Sequence, residues 1–348
     1  MNKQQIKKSL TYILSLLIAG VLLYFSFRGI QWNDFIITLS QCNWVWILLS
    51  MAAGVMAFWL RSLRWRQLLL PLDRSLDRLS VFNAVNIGNL ANFVFPRIGE
   101  FVRCGYITSN SGYDTSDSGN GVGHKKASYD KVIGTVVLER SLDLLMMFII
   151  LFLLLIGKWD KFGSFFIVNM WQPLEARFQG DAIWIVIAVL AGLLVAGSLV
   201  VWLIIRNKNR NKVCGTISSV FEGLWKGFGT CLHMDHKWAF IIYTVLIWTM
   251  YWLMSIFVMR AVPSLDNLNM IDGLFLMMAG SLGWLVPVPG GFGAFHYIVA
   301  LALSTIYMLP FNDGIIFATL SHEAQAVTML LFGFISFGIE SFKRKRAE

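Results

Sequence analysis

The chain is written in long apolar blocks, and these decide what it can fold into. A run of about 20 mostly apolar residues, wound into a helix, matches the width of a bilayer's hydrocarbon. The helix also satisfies every backbone polar group internally, which lipid cannot do. Such blocks occupy roughly 9–27, 43–60, 131–157, 182–205, 238–260 and 314–340. Two further apolar stretches, about 80–102 and 271–309, are interrupted by glycine, proline or charge. The pattern predicts an all-α fold: a polytopic membrane helical bundle of about six full spans plus two re-entrant hairpins. Only 14% of the 348 residues are charged, against about 25% in a soluble domain. The first block follows Lys3, Lys7 and Lys8 without a clear small-x-small cleavage site, and is expected to remain as a signal-anchor.

Basic residues set the expected orientation, because cytoplasmic loops attract Lys and Arg. Let the N-terminus be cytoplasmic and both interrupted stretches return to their own side. Then 23 of the 29 Lys and Arg face the cytoplasm, and Arg28, Lys158, Lys161, Arg177 and Arg260 lie outside. Arg140 falls within a span. A full crossing of the first interrupted stretch would invert every later loop and abolish this asymmetry. Both termini are therefore expected in the cytoplasm. The net charge of +9 follows from orientation and contact with anionic headgroups, so no nucleic-acid partner is implied. Cys42, Cys104, Cys214 and Cys231 have no C-x-x-C spacing and suggest neither a disulfide framework nor a zinc site.

The same order of elements occurs twice: two spans, a hairpin, a third span. The two units, about 1–157 and 182–340, have opposite orientation and form an expected inverted repeat within one integral membrane domain, 1–348. A loop at 158–181 would join them outside. A second loop, 108–130, rich in Ser, Gly, Asp and Asn, would be flexible and cytoplasmic. Inverted repeats of this kind place broken helices at the midplane, where transporters bind substrate. The first break is Asn92-Phe-Val-Phe-Pro-Arg-Ile-Gly-Glu-Phe101, and the second is Trp284-Leu-Val-Pro-Val-Pro-Gly-Gly-Phe-Gly-Ala-Phe295. Irregular backbone at that depth must be buried in protein or line a wet cavity, so the two breaks are expected to face one another.

Three polar clusters interrupt the apolar background. Asn86, Asn89 and Asn92 recur along one helical face, followed by Arg97, Glu100 and Arg103. Glu139, Arg140 and Asp143 open the third span, the two carboxylates four residues apart. Ser321, His322, Glu323 and Gln325 lie in the last span, where the repeat places the counterpart of Glu139. Charge inside a span is costly and marks a functional site by default. Arg97, Arg103 and Arg140 would hold a phosphate or other anionic headgroup, since guanidinium matches phosphate oxygens. The carboxylates would tune that site or relay protons. The structural alternative is ion pairing that fixes the hairpins, such as Glu100 with Arg140 or Arg97 with Glu139.

The candidate headgroup cavity thus comprises Asn89, Asn92, Arg97, Glu100, Arg103, Glu139, Arg140 and Asp143. From the second half it takes Pro289, Gly290, Gly291, Gly293, His296, His322 and Glu323. Arg61, Arg64 and Arg66 read as positive-inside anchors, and Trp44, Trp46, Trp59 and Trp65 as interfacial belt residues. His233 and His236 lack a third ligand, so no metal and no cofactor is expected. Gly119, Gly121 and Gly123 follow no strand and precede no Walker lysine. Serine elbows, paired catalytic cysteines and HExxH are absent too, and the chain is not expected to be an enzyme.

Five motifs in order carry a family resemblance: Arg64-Trp-Arg-Gln-Leu-Leu69, Asn86-Ile-Gly-Asn-Leu-Ala-Asn92, Pro96-Arg-Ile-Gly-Glu-Phe-Val-Arg103, Glu139-Arg-x-x-Asp143 and Pro289-Gly-Gly-Phe-Gly293. Over nearly its whole length the chain resembles the flippase-like family, whose namesake is the transmembrane region of lysylphosphatidylglycerol synthase, the bacterial multiple peptide resistance factor. The resemblance implies a bundle with two re-entrant segments and movement of a lipid between leaflets. In full-length synthases a separate soluble domain performs aminoacyl transfer. The chain ends at Glu348 after its last span, so lysyl-lipid synthesis is not expected. Many relatives carry a glutamate just after the Pro-Gly-Gly-x-Gly turn, where Ala294-Phe295-His296 stands here; if that glutamate helps set substrate, the resemblance implies a lipid other than the namesake's.

The expected function is a lipid flippase or translocase of the bacterial inner membrane, moving an anionic phospholipid or lipid-linked headgroup. Its partners would be membrane lipids, with a homo-oligomer or a synthase partner left open. The alternatives are a membrane-embedded lipid transferase or hydrolase using Glu139, Asp143 and Glu100, and a non-catalytic partner of a glycosyltransferase or lipid synthase.

Overall fold

A computed structural model describes residues 21, 24, 32–94, 98–110, 127–177, 237–286, 288 and 291–347. The predicted span at 182–205, most of that at 9–27, and the basic segment 206–236 with His233 and His236 lie outside these. So do Gly119, Gly121 and Gly123.

All regular structure among the described residues is helical. Short helix α1 (Trp32–Gln41) leads into α2 (Trp44–Leu69), whose first turn is capped by the Asn43 side chain accepting from the Val45 amide. Then come α3 (Arg78–Val94), α4 (Gly99–Asn110) and α5 (Tyr129–Gly157). Two short helices, α6 (Trp159–Phe166) and α7 (Gln172–Arg177), flank a π-helical turn. The second half has α8 (Lys237–Ala261), α9 (Met270–Leu285), α10 (Ala294–Tyr307) and α11 (Phe311–Ala347). Among the described residues four helices are long and apolar enough to cross a membrane: α2, α5, α8 and α11 up to Lys343.

Three boundaries depart from the hydropathy reading. Helix α2 continues past residue 60 to Leu69, because Arg61 and Arg64 find carboxylates inside the bundle rather than ending the span at water. Both ends of the loop predicted at 108–130 are helical: α4 runs through Asn110 and α5 begins at Tyr129. The predicted loop at 158–181 contains helix, since Phe162 and Phe165 are buried against Phe275 of α9, Phe162 stacking on it at 4.3 Å.

Both interrupted stretches fold as hairpins. At 1.5 Å per residue, α3 and α4 are about 26 and 18 Å long, each short of a hydrocarbon core about 30 Å thick. Their arms lie so close that a Cβ on Gly99 would meet the Gly88 carbonyl oxygen at 1.9 Å. Asn92 accepts from the Gly99 amide at 2.7 Å and closes the turn. In the second hairpin a Cβ on Gly283 would come within 2.6 Å of the Phe295 Cα. Gly291 and Gly293 adopt φ of +73° and +80°, conformations a side chain would strain.

Helix α2 packs along α8, Ser50 donating to the Met254 carbonyl across 204 residues of chain. Helix α11 packs against both hairpins: Gly314 approaches Ala300 of α10, and Gly333 approaches Leu90 of α3. Small residues at such crossings let membrane helices pack by van der Waals contact where no hydrophobic drive operates. The polarity is inside out for a water-soluble protein. Phe148, Phe152, Leu153 and Ile156 of α5 and Phe334 and Phe337 of α11 are exposed, while Arg64, Arg103, Glu139, His296 and His322 are buried.

Candidate functional site

Three helices bring charge to one place in the first half. Helix α2 supplies Arg61 and Arg64, α4 supplies Glu100 and Arg103, and α5 supplies Glu139, Arg140 and Asp143. Arg61 and Arg64, Glu100 and Arg103, and Glu139 and Asp143 stand three or four residues apart, the spacing that puts each pair on one helical face, and Arg140 reaches in from beside Glu139. Glu139 is the hub and has no exposure. Its Oε1 lies 3.0 Å from Arg140, 3.6 Å from Arg61 and 3.7 Å from Arg64, and its Oε2 lies 2.9 Å from Arg103. Arg64 also reaches Asp143 at 2.7 Å, and Arg140 stands 3.9 Å from both Glu100 and Asp143.

Among the described residues four guanidinium groups against three carboxylates leave one positive charge in excess. The excess is larger in hydrogen-bond donors. The Nε of Arg61, all three nitrogens of Arg64 and both Nη of Arg103 are buried with no aligned acceptor among the described residues, against two acceptors in the same condition, Glu100 Oε2 and Glu139 Oε2. The short contacts of Arg64 with Asp143 and of Arg103 with Glu139 are therefore ion pairs without hydrogen-bond alignment. Aromatic faces hold two of the cations, Trp65 under Arg103 at 4.4 Å and Phe240 under Arg64 at 5.9 Å. Burial is graded across the cluster: the Arg64 and Glu139 side chains are fully enclosed, whereas Arg140 is 42% exposed and marks the open side.

A second polar group sits behind the other hairpin. His296 of α10 and His322 of α11 are both buried, with ring centroids 5.1 Å apart, and Glu323 Oε1 lies 3.1 Å from His322 Nδ1. Trp284 stacks on His322 at 5.4 Å, and Phe292 and Phe295 complete an aromatic wall. Phe292 also meets Phe93 of the first hairpin at 5.9 Å, so the two hairpins touch near their turns.

The family model described as the lysylphosphatidylglycerol synthase TM region matches residues 12–333. The chain belongs to that family. Comparison with curated proteins and with solved structures finds no match. Membership, together with four membrane-length apolar helices, makes this a membrane protein concerned with lipid.

Of the residues singled out in this member of the lysylphosphatidylglycerol synthase TM region family, Glu100, Arg103, Glu139, Arg140 and Asp143 converge as one cluster. Of the two anticipated ion pairs, Glu100 with Arg140 is present at 3.9 Å, while Arg97 lies outside the described residues, as do Pro289 and Gly290. Asn92 closes the first hairpin, and Asn86 donates to Ser336 of α11. Asn89 is half-buried on the same helix. Gly291 and Gly293 shape the second turn, and His296, His322 and Glu323 meet beside it.

Three residues expected at the interface lie inside the bundle. Arg61 and Arg64 are not interfacial anchors: both enter the Glu139 cluster. Trp65 is no belt residue, being fully buried with its indole N–H donating to Thr135 at 2.9 Å. Trp44 is exposed at the start of α2 as a belt residue would be, whereas Trp46 stacks on Phe257 and Trp59 packs on Phe82. Two further polar ties carried no sequence signal. Asn83 donates to Glu340 at 2.6 Å. Asp272 accepts from Lys161 at 2.7 Å and Tyr307 at 3.0 Å while completing the capping box of α9.

Proposed function

We propose that the protein is a lipid translocase that takes an anionic headgroup, a phospholipid phosphate or a lipid-linked phosphate, at the Arg61–Arg64–Arg103–Arg140 cluster. The surplus of buried guanidinium donors around Glu139 carries this reading. A phosphate group brings acceptor oxygens and negative charge together, and the planar fork of arginine fits them in pairs. The half-exposed Arg140 is the point of entry, with Glu100 and Asp143 beside it to limit how tightly the headgroup is held.

The chain has its termini in the cytoplasm of a bacterial inner membrane, and its two hairpins belong to inverted repeats. Rocking of one repeat against the other exposes the site alternately. The Phe93–Phe292 contact supplies a seam for that movement. A transferase or hydrolase built on Glu139 is disfavoured by geometry, since both carboxylate oxygens face guanidinium groups. A general base takes a proton best when no cation is held against it.

Native mass spectrometry on protein exchanged into mixed phosphatidylglycerol and phosphatidylcholine tests the site. One charge-assisted hydrogen bond is worth about 1.5–3 kcal/mol, roughly 10- to 150-fold in affinity. Wild type should retain phosphatidylglycerol preferentially, and Arg140→Gln should lose that preference by about tenfold or more. Equal retention of both lipids by wild type, or a preference indifferent to Arg140→Gln, overturns the assignment.

A further inference from the structure

We propose that His296, His322 and Glu323 form a binding site for one divalent transition-metal cation of the zinc class. The three residues offer two imidazoles and a carboxylate, and one ligand atom from each lies within 4.8 Å of the others. Among the described residues this is the group that meets a metal-ligand grouping of three.

Local geometry gathers the three side chains, two of them already joined by the His322–Glu323 hydrogen bond. His322 and Glu323 are neighbours on α11, and adjacent helical residues ordinarily point about 100° apart. Glu323 nonetheless turns back until its Oε1 is 3.1 Å from His322 Nδ1. His296 reaches the same point from α10, its ring 5.1 Å from that of His322. Both histidines are only 1% exposed, and Trp284, Phe292 and Phe295 wall the group with aromatic surface.

Bond lengths set what binding would require. Zinc bonds nitrogen and oxygen at about 2.0–2.2 Å, which brings tetrahedral ligand atoms to roughly 3.3–3.5 Å from one another. The pair His322–Glu323 is already close, so the adjustment is an inward movement of about an ångström by the remaining contacts, within reach of side-chain rotation. Two nitrogens and one oxygen suit zinc, cobalt or nickel better than calcium or magnesium, which favour oxygen ligands. Three protein ligands leave a coordination position for water or an anionic oxygen. The assignment stands on its own residues and does not depend on lipid translocation.

The test uses the full chain, free of any histidine tag, stripped with chelator and titrated with Co²⁺ and then Zn²⁺. One equivalent of Co²⁺ should give the visible absorption of a low-coordinate site, and Zn²⁺ should displace it. His296→Gln and Glu323→Gln should each weaken binding tenfold or more while the protein stays monodisperse and helical. Glu323→Gln is the safer variant, because Glu323 is half-exposed. A double variant His233→Gln/His236→Gln should bind as wild type. Absence of stoichiometric binding overturns the proposal. So does binding that survives both site variants, or that disappears with His233 and His236 instead.

Discussion

Glu139→Gln removes one charge and leaves the shape of the side chain. In wild type four guanidinium groups share three carboxylates; in the variant they share two, and the excess charge rises from one to two. Arg64 and Arg103 are almost fully enclosed, so they cannot turn to water. Removing one partner of a buried pair typically costs about 3–5 kcal/mol, because a buried charge is left uncompensated. That corresponds to a shift in the unfolding equilibrium of roughly 150- to 5,000-fold. Arg64 keeps Asp143 at 2.7 Å, which places the expected loss near the lower end, about 3 kcal/mol. Reversible unfolding in mixed micelles, followed by far-UV circular dichroism, reads this directly. A cycle with Arg103→Gln isolates the pair: the double variant should be less destabilised than the sum of the singles by about 1–3 kcal/mol. A single-variant loss below about 1 kcal/mol, with additive behaviour in the cycle, would refute the view of Glu139 as the hub.

Two further perturbations separate packing from charge. Gly99→Ala should abolish correct hairpin folding, seen as loss of monodisperse protein, because its Cβ would overlap the Gly88 carbonyl oxygen; Gly134→Ala, with nothing within 4 Å, should be neutral or stabilise by up to about 1 kcal/mol. Asp272→Asn should weaken the ties to Lys161 and Tyr307 and the α9 cap, costing about 1–3 kcal/mol in the same unfolding assay.

Much of this architecture is legible in sequence because lipid imposes a simple rule: long apolar runs become helices, and proline or glycine within them marks a break. Glu100, Arg103, Glu139, Arg140 and Asp143 are visible for the same reason, as charges where charge is expensive. Arg61 and Arg64 are hidden by their position. They fall where hydropathy ends α2, and the positive-inside rule explains basic residues there without further assumption. Only the continuation of α2 to Leu69 turns them inward. Trp65 is misread on the same logic. Asn92 has the chemistry of a headgroup ligand, yet the Gly99 amide claims it. The pairs Asn83–Glu340 and Lys161–Asp272 join residues 257 and 111 positions apart, and no local pattern announces a tie that tertiary packing alone creates.

The most direct measurement follows a labelled lipid across the bilayer. Purified protein in vesicles is given acyl-chain-labelled phosphatidylglycerol or phosphatidylcholine, and leaflet exchange is read by chemical quenching of the outer label. Phosphatidylglycerol should cross chemically unaltered, faster than in protein-free vesicles and faster than phosphatidylcholine, and Arg140→Gln should suppress the difference. Phosphatidylglycerol that stays in its leaflet, or emerges chemically changed, would contradict lipid translocation.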